Sequence, residues 1–415
     1  MKAMRALAGA LCVLCVMAGA CAAATDNGVL PFSKDEIARI LQHGPWPPPM
    51  HADTSNRVSG RPSAIEFGKR LFFDPRLSAS ATISCANCHI PELGWSDARA
   101  RATGAEETDR NTMSVINARF NRWFGWSGAS DSLWAASIRP LLDAREMGGA
   151  ERLVAARVRA QPDLACGYRS AFGRAPPDND ETLIADIGKA LAAFQEKLVT
   201  GRTPFDIFRD AIARGDRRAA ARYPLAAQRG LRLFVGTARC NVCHFGPQFT
   251  NGEFDKTGIS VRGANGHFDW GRYDGIKTLR ANRFNLLSRH NDKTTRTNAI
   301  STRHVVLDAE AYGAFKVPTL RNVALTAPYM HDGRLASLRD VVRHYSQISE
   351  AKLAIALSSP HAEPSELFTR PPTGSVLQTL NLSDTQISDI VAFLETLTEP
   401  KPMTQPPNLT AAACR

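Results

Sequence analysis

The sequence predicts an all-α chain of two tandem domains with long irregular loops. Three observations predict it. Apolar residues recur at the helical period, no segment alternates convincingly as a strand would, and one short pattern occurs twice. Gly68-Lys69-Arg70-Leu71-Phe72 stands ahead of Cys85-Ala86-Asn87-Cys88-His89. Gly230-Leu231-Arg232-Leu233-Phe234 stands ahead of Cys240-Asn241-Val242-Cys243-His244. Each reads as the end of a helix, a loop and then the same motif, so duplication is the simple explanation.

Taken in order, residues 1–24 read as a signal peptide. Lys2 and Arg5 form a basic start, an apolar stretch covers residues 6–17, and small residues follow. The stretch is too short for a permanent membrane helix. Cys21 ends a passable lipoprotein box, so either lipidation there or ordinary cleavage after Ala22 or Ala24 fits, and the membrane is a partner only if Cys21 is lipidated. Export to the periplasm is the expectation. The first domain is expected over 25–202. In it, Ser33 and Glu36 form a capping box before Ile37, Ile40 and Leu41. Pro45-Trp46-Pro47-Pro48-Pro49 reads as a stiff surface loop. Leu183, Ile184, Ile187, Leu191 and Phe194 make a helical stripe. The boundary falls near Gly201-Arg202. The second domain, 203–400, opens with Thr203-Pro204 as an N-cap and first helical residue. Residues 252–304 lack periodicity and read as loops. Leu338, Val341 and Val342 mark an amphipathic helix, and Ser383 with Gln386 caps the last one, which carries Ile387, Ile390, Val391, Leu394 and Leu397. Residues 401–415 are a tail.

Cys-x-x-Cys-His is the attachment pattern of c-type haem: two thiols bond the porphyrin and the histidine reaches the iron. Two structural zinc or disulfide pairs are the alternative. Two complete copies behind an export signal favour two covalently bound haems, held by Cys85, Cys88 and His89 and by Cys240, Cys243 and His244. Haem is attached outside the bacterial inner membrane, which agrees with export. Of the other cysteines, Cys12, Cys15 and Cys21 belong to the signal. Cys166 and Cys414 either pair or stay free. The formal net charge is +11, with the signal supplying Lys2 and Arg5. The basic residues are scattered, which argues against a nucleic-acid partner.

Several segments resemble the bacterial di-haem cytochrome c peroxidase and MauG family. They are Leu71-Phe72-Phe73-Asp74-Pro75-Arg76-Leu77-Ser78, Asp109-Arg110-Asn111-Thr112, and Phe315-Lys316-Val317-Pro318-Thr319-Leu320-Arg321-Asn322-Val323. The last continues into Leu325-Thr326-Ala327-Pro328-Tyr329-Met330-His331-Asp332-Gly333. They stand in the family's order around both haem motifs. The resemblance implies two cytochrome c-like helical domains with one haem each. The first haem is where hydrogen peroxide reacts, the second handles electrons, and a calcium ion lies between.

The resemblance also assigns residues. Glu146 matches the distal glutamate that assists peroxide cleavage, and Pro140 agrees with that pattern. Ala136 departs from it, standing where the family places glutamine. Trp126 matches the tryptophan between the haems. Asn111 matches the calcium side-chain ligand, with Thr326 and Pro328 giving carbonyls. Peroxidases of the family often carry a distal histidine after the first motif, but none lies between His89 and His244, and Met113 and Met147 are the only soft ligands nearby. The first iron is therefore expected to be open. At the second, the position of the peroxidases' methionine, fourteen residues after His331, is Tyr345, as in MauG. His344, beside it, is the alternative ligand. The reading that follows is a periplasmic peroxide-reactive oxidoreductase that oxidises a protein donor. That donor is a small cytochrome c, a cupredoxin, or a partner protein modified as in the MauG mode. A conventional peroxidase and a non-catalytic electron carrier are the alternatives.

Overall fold

A computed structural model describes residues 28–262, 266–349 and 377–405. The signal peptide, Cys12, Cys15, Cys21 and Cys414 lie outside these residues. Among the described residues no helix is long and apolar enough to cross a membrane. Cys166 is disulfide-bonded, and the four motif cysteines are free.

The chain is mostly helical. Helices α1 (Lys34–Leu41), α2 (Pro62–Phe73), α3 (Leu133–Leu142), α4 (Glu151–Ala160), α5 (Pro162–Phe172) and α6 (Asp180–Gln195) come first. Then follow α7 (Pro204–Arg214), α8 (Arg217–Ala220), α9 (Leu225–Val235), α10 (Arg272–Ala281), α11 (Ile300–His304), α12 (Leu338–Ser346) and α13 (Asp384–Glu395). The capping boxes at Ser33 and Ser383 form as expected, and Thr203 caps α7 with Asp206 closing the box. Each box satisfies amide donors that a helix start leaves bare. Ser383→Ala is expected to cost about 1 kcal/mol, since the hydroxyl accepts from Gln386 N, as a thermal melt would record.

Two apolar clusters form among the described residues. The first joins α2 to α6 and the second joins α7, α9, α12 and α13. Helix α1 goes with the second: Ile40 is buried there, and α1 packs on α7 and α9. Its place in sequence, ahead of the first motif, gives no hint of this.

The duplicated glycine has a physical reason. A Cβ on Gly68 would lie 1.9 Å from the carbonyl oxygen of Ala190 in α6. A Cβ on Gly230 would lie 1.9 Å from that of Asp389 in α13. Each glycine therefore lets two helices cross at backbone contact. One turn further on, Phe72 meets Phe194 at 5.3 Å and Phe234 meets Phe393 at 4.9 Å. The repeat thus extends to the partner helices, whose sequences share only Ala193-Phe194 and Ala392-Phe393.

The α6 stripe is helical and buried as expected, and the structure adds that the helix is buried on every side from Leu183 to Gln195, because α2, α3 and α4 surround it. Its polar residues are paired: Asp186 with Arg57, Arg174 and the Tyr168 hydroxyl, and Lys189 with Asp292 at 2.7 Å. Two other expectations need correction. Residues 252–304 are not all loop. They contain α10, α11 and β1 (Phe254–Lys256), which pairs antiparallel with β2 (Ala314–Lys316). Helix α10 has only a short apolar stripe. It is held instead by Gly275, packed on Ser127 O, and by the Arg272 guanidinium lying between the rings of Trp123 (4.4 Å) and Phe254 (4.1 Å). Finally, Trp46 in the proline-rich loop is buried beneath Arg321, whose guanidinium lies 3.7 Å from its ring centroid. Arg321 is itself anchored by Asp206 through two hydrogen bonds of 2.9 Å.

Candidate functional site

The two motifs fold alike. Cys85 opens one 3₁₀ turn and Cys240 another, and the histidine amide bonds back to the first cysteine at 2.9 Å in both. That turn puts both thiols and the imidazole on one short stretch. His89 Nδ1 lies 3.2 Å from the carbonyl oxygen of Trp95, and His244 Nδ1 lies 2.9 Å from that of Phe249. A carbonyl only accepts, so Nδ1 carries the proton and Nε2 keeps its lone pair. Burial also pushes both imidazoles below their ordinary pKa, which keeps them neutral. Burial pushes the Cys85 and Cys240 thiols up to about 12.

A cavity of about 270 Å³ opens beside the second motif. Cys240, Cys243 and His244 line it, together with Tyr345 from α12. Burial and the neighbouring Cys243 and Asp255 raise the Tyr345 hydroxyl well above its usual range. His344 is directed elsewhere: its Nε2 lies 2.8 Å from the carbonyl oxygen of Thr257. Of the two adjacent candidates, Tyr345 is the one in the cavity. Met113 also lines this cavity, whereas Met147 is buried in the first apolar cluster.

The same cavity reaches the residues expected between the two sites. Trp126, Asn111, Thr326 and Pro328 all line it. Trp126 Nε1 donates to the carbonyl of Asn111 at 2.9 Å, and the Asn111 amide nitrogen donates to that of Arg99 at 2.7 Å. Sequence reasoning missed two further lining groups. His331 served there only as a counting mark, yet it is buried, stacks on Phe315 at 3.6 Å, and its Nδ1 has no protein partner. Lys316 is buried, and desolvation brings its ammonium down to about 8. Among the described residues no cluster of three or more His, Cys, Asp or Glu could hold a metal. Asn111, Thr326 and Pro328 offer amide and backbone oxygens instead, a donor set suited to a hard cation.

Glu146 lies in the turn after α3. Its carboxylate pairs with Arg139 at 2.8 Å, and its carbonyl accepts from Ala105 at 2.8 Å. It is near enough to the first motif to raise both the Cys85 and Cys88 thiols. Gly104 lets the two segments touch, since a Cβ there would lie 2.2 Å from Glu146 O.

A family model described as di-haem cytochrome c peroxidase matches residues 62–214. The chain is 34% identical to the methylamine utilization protein MauG of Methylorubrum extorquens over 348 residues, covering 83% of this chain and 81% of that one. The chain belongs to the di-haem cytochrome c peroxidase and MauG family. It is also 29% identical over 413 residues to the cytochrome-c peroxidase IdrP1 of Denitromonas iodatirespirans, covering 96% and 94% of the two chains. Among solved structures, a MauG-like protein associated with microbial copper homeostasis superposes with a TM-score of 0.61 at 28% identity, covering 88% of this chain and 99% of that one. The diheme peroxidase BthA of Burkholderia thailandensis gives 0.60 at 22% identity, covering 89% and 98%, and shares the fold.

Membership in the di-haem peroxidase family implies an oxidoreductase with two haems c, and the residues present fit them. In each domain the thiols are free, and the histidine has Nδ1 committed to a carbonyl, leaving Nε2 for iron. His89, Cys85 and Cys88 would hold the first haem. His244, Cys240 and Cys243 would hold the second in the cavity described above.

Proposed function

We propose that this family member reacts with hydrogen peroxide at its first haem and oxidises a protein partner through its second, in the periplasm. Haem, when bound, supplies a redox-active iron at each site. Glu146 takes a proton from peroxide and returns it to the departing oxygen, a task that needs a carboxylate held in place. Arg139 does the holding. Met113 lines the other cavity, and the chain has no histidine between His89 and His244 that would ligate the first iron. Trp126 carries an electron hole between the sites, because an indole is readily oxidised. A calcium ion on Asn111, Thr326 and Pro328 steadies the loop that bears Trp126's acceptor.

The observation that carries the MauG-like choice is Tyr345 in the cavity, with His344 bonded away to Thr257. A phenolate is a hard anion that favours ferric and higher states, whereas a methionine thioether favours ferrous iron and a high potential. Tyr345 therefore suits a site that shares an oxidising equivalent. The partner is then a protein oxidised at its own side chains, rather than a small cytochrome c or cupredoxin drained of electrons. Tyr345→Phe is expected to abolish the low-spin ferric signal of the second haem in electron paramagnetic resonance. An unchanged signal would move the ligand to His344. Peroxide treatment should leave a long-lived state with both haems oxidised. Rapid turnover with reduced cytochrome c would instead mark a conventional peroxidase, and a protein inert to peroxide would mark an electron carrier.

A further inference from the structure

Two segments at the limits of the described residues cross. Residues 28–46 precede the first haem motif, yet they pack on the second domain. His43 is buried, stacks on Phe249 at 4.5 Å with ring planes 11° apart, and places Nδ1 3.2 Å from Gly246 O. Residues 401–403 follow the second haem domain, yet Met403 returns to the first. Met403 packs on the first apolar cluster, and its carbonyl accepts from Trp95 Nε1 at 2.8 Å.

Phe249 and Trp95 are the two residues whose carbonyls hold His244 and His89. Both are buried, and both sit in the left-handed region, at φ 53° for Phe249 and 61° for Trp95. A bulky side chain pays on the order of 1–3 kcal/mol there and stays only where its surroundings insist. The surroundings are supplied crosswise. Trp95 is packed by Phe72 and Phe194 of its own domain, but its polar anchor comes from the far tail. Phe249 is packed by Phe205, Phe234 and Phe393, and its flat face is covered by His43 from the leading segment.

Each segment is itself fastened down. The buried Glu399 carboxylate accepts from Gly201 N at 2.7 Å and from Asn322 Nδ2 at 3.0 Å. The Arg209 guanidinium donates to Leu41 O at 2.7 Å, and Trp46 Nε1 to Thr200 O at 3.0 Å.

We propose that each of these two segments is a positioning brace for the haem histidine of the other domain: Met403 acts through Trp95 on His89, and His43 acts through Phe249 on His244. The hydrogen bond from Nδ1 sets how anionic the imidazole is, and a more anionic imidazole favours ferric iron. A brace that holds the carbonyl in line therefore lowers the potential of its haem. The inference rests on histidine ligation of both haems and not on the reaction with peroxide, so the two fail independently.

The test is a spectroscopic redox titration of the full-length protein carrying both haems. Trp95→Phe keeps a ring and removes the anchoring N–H. It should shift the first haem's potential upward and leave the second unchanged. His43→Phe keeps the stack and removes the bond to Gly246. It should shift the second upward and leave the first unchanged. A merely structural role would lower stability without this opposite selectivity. Should either variant fail to accumulate, Glu399→Gln and Arg209→Ala loosen the tail and the leading segment from outside the haem loops and are read the same way. Potentials that stay put, or that move together in one variant, would overturn the proposal.

Discussion

Gly230→Ala is expected to destabilise the second domain by about 1–2 kcal/mol, although alanine is the better helix former. In an exposed helix the exchange would gain about 1 kcal/mol. Here the new methyl carbon would lie 1.9 Å from the Asp389 carbonyl oxygen, far inside contact distance, and the atom it meets is backbone. Helices α9 and α13 would have to move apart. That pulls Phe234 from Phe393 and loosens the wall behind Phe249, whose carbonyl orients His244. Forcing one methylene into a packed core typically costs 1–3 kcal/mol or more, so the overpacking wins. Urea unfolding followed by far-ultraviolet circular dichroism would measure it. Gly68→Ala should act the same way on α2 and α6, since its geometry against Ala190 is the same. A stabilised Gly230→Ala protein would mean that the helices do not cross at that glycine.

These glycines show what the sequence makes legible and what it hides. The repeat of Gly-x-Arg-Leu-Phe before each motif is visible because it lies close to the cysteines. Its partners obey the same geometry but share only Ala-Phe, at Ala193-Phe194 and Ala392-Phe393, while the contact residues themselves differ, Ala190 against Asp389. A crossing demands only a backbone carbonyl on the second helix, and any residue supplies one. Capping boxes were readable for the opposite reason: Ser33 with Glu36 and Ser383 with Gln386 act through side chains three residues apart. Helix α10 escaped notice because a cation between two aromatic rings holds it, and those rings come from distant parts of the chain.

The site divides along the same line. Cys85, Cys88, His89, Cys240, Cys243 and His244 are local in sequence and were found from spacing alone. Tyr345, Trp126, Asn111, Thr326 and Pro328 needed a family pattern, and the fold brings all of them to one cavity. Lys316 and His331 lay inside a quoted segment, but only the fold reveals that both are buried, that both line that cavity and that His331 Nδ1 has no protein partner. Trp95 and His43 were invisible as functional residues. Trp95 holds His89 through its own carbonyl, and His43 bears on Phe249, whose carbonyl holds His244; nothing in a sequence states which carbonyl an imidazole will choose.

Glu146→Gln is expected to slow the reaction with hydrogen peroxide on the order of 10²–10⁴-fold while leaving both haems attached. The exchange keeps size and hydrogen-bonding capacity but removes the group that accepts a proton. Stability should change little, because the carboxylate is about a quarter exposed and its partner Arg139 is half exposed. An ion pair at that exposure contributes at most about 1 kcal/mol. The backbone contacts that place residue 146, from Ala105 N and against Gly104, do not involve the side chain. Any large kinetic effect is therefore attributable to proton transfer rather than to displacement of the turn. Stopped-flow absorbance after mixing ferric protein with peroxide gives the second-order rate constant. Arg139→Met supplies the complementary measurement. It leaves the carboxylate present but unheld, so the rate should fall less than in Glu146→Gln. If Glu146→Gln reacts as fast as the unaltered protein, the proton must travel by another group, and Glu146 is only the partner of a surface arginine.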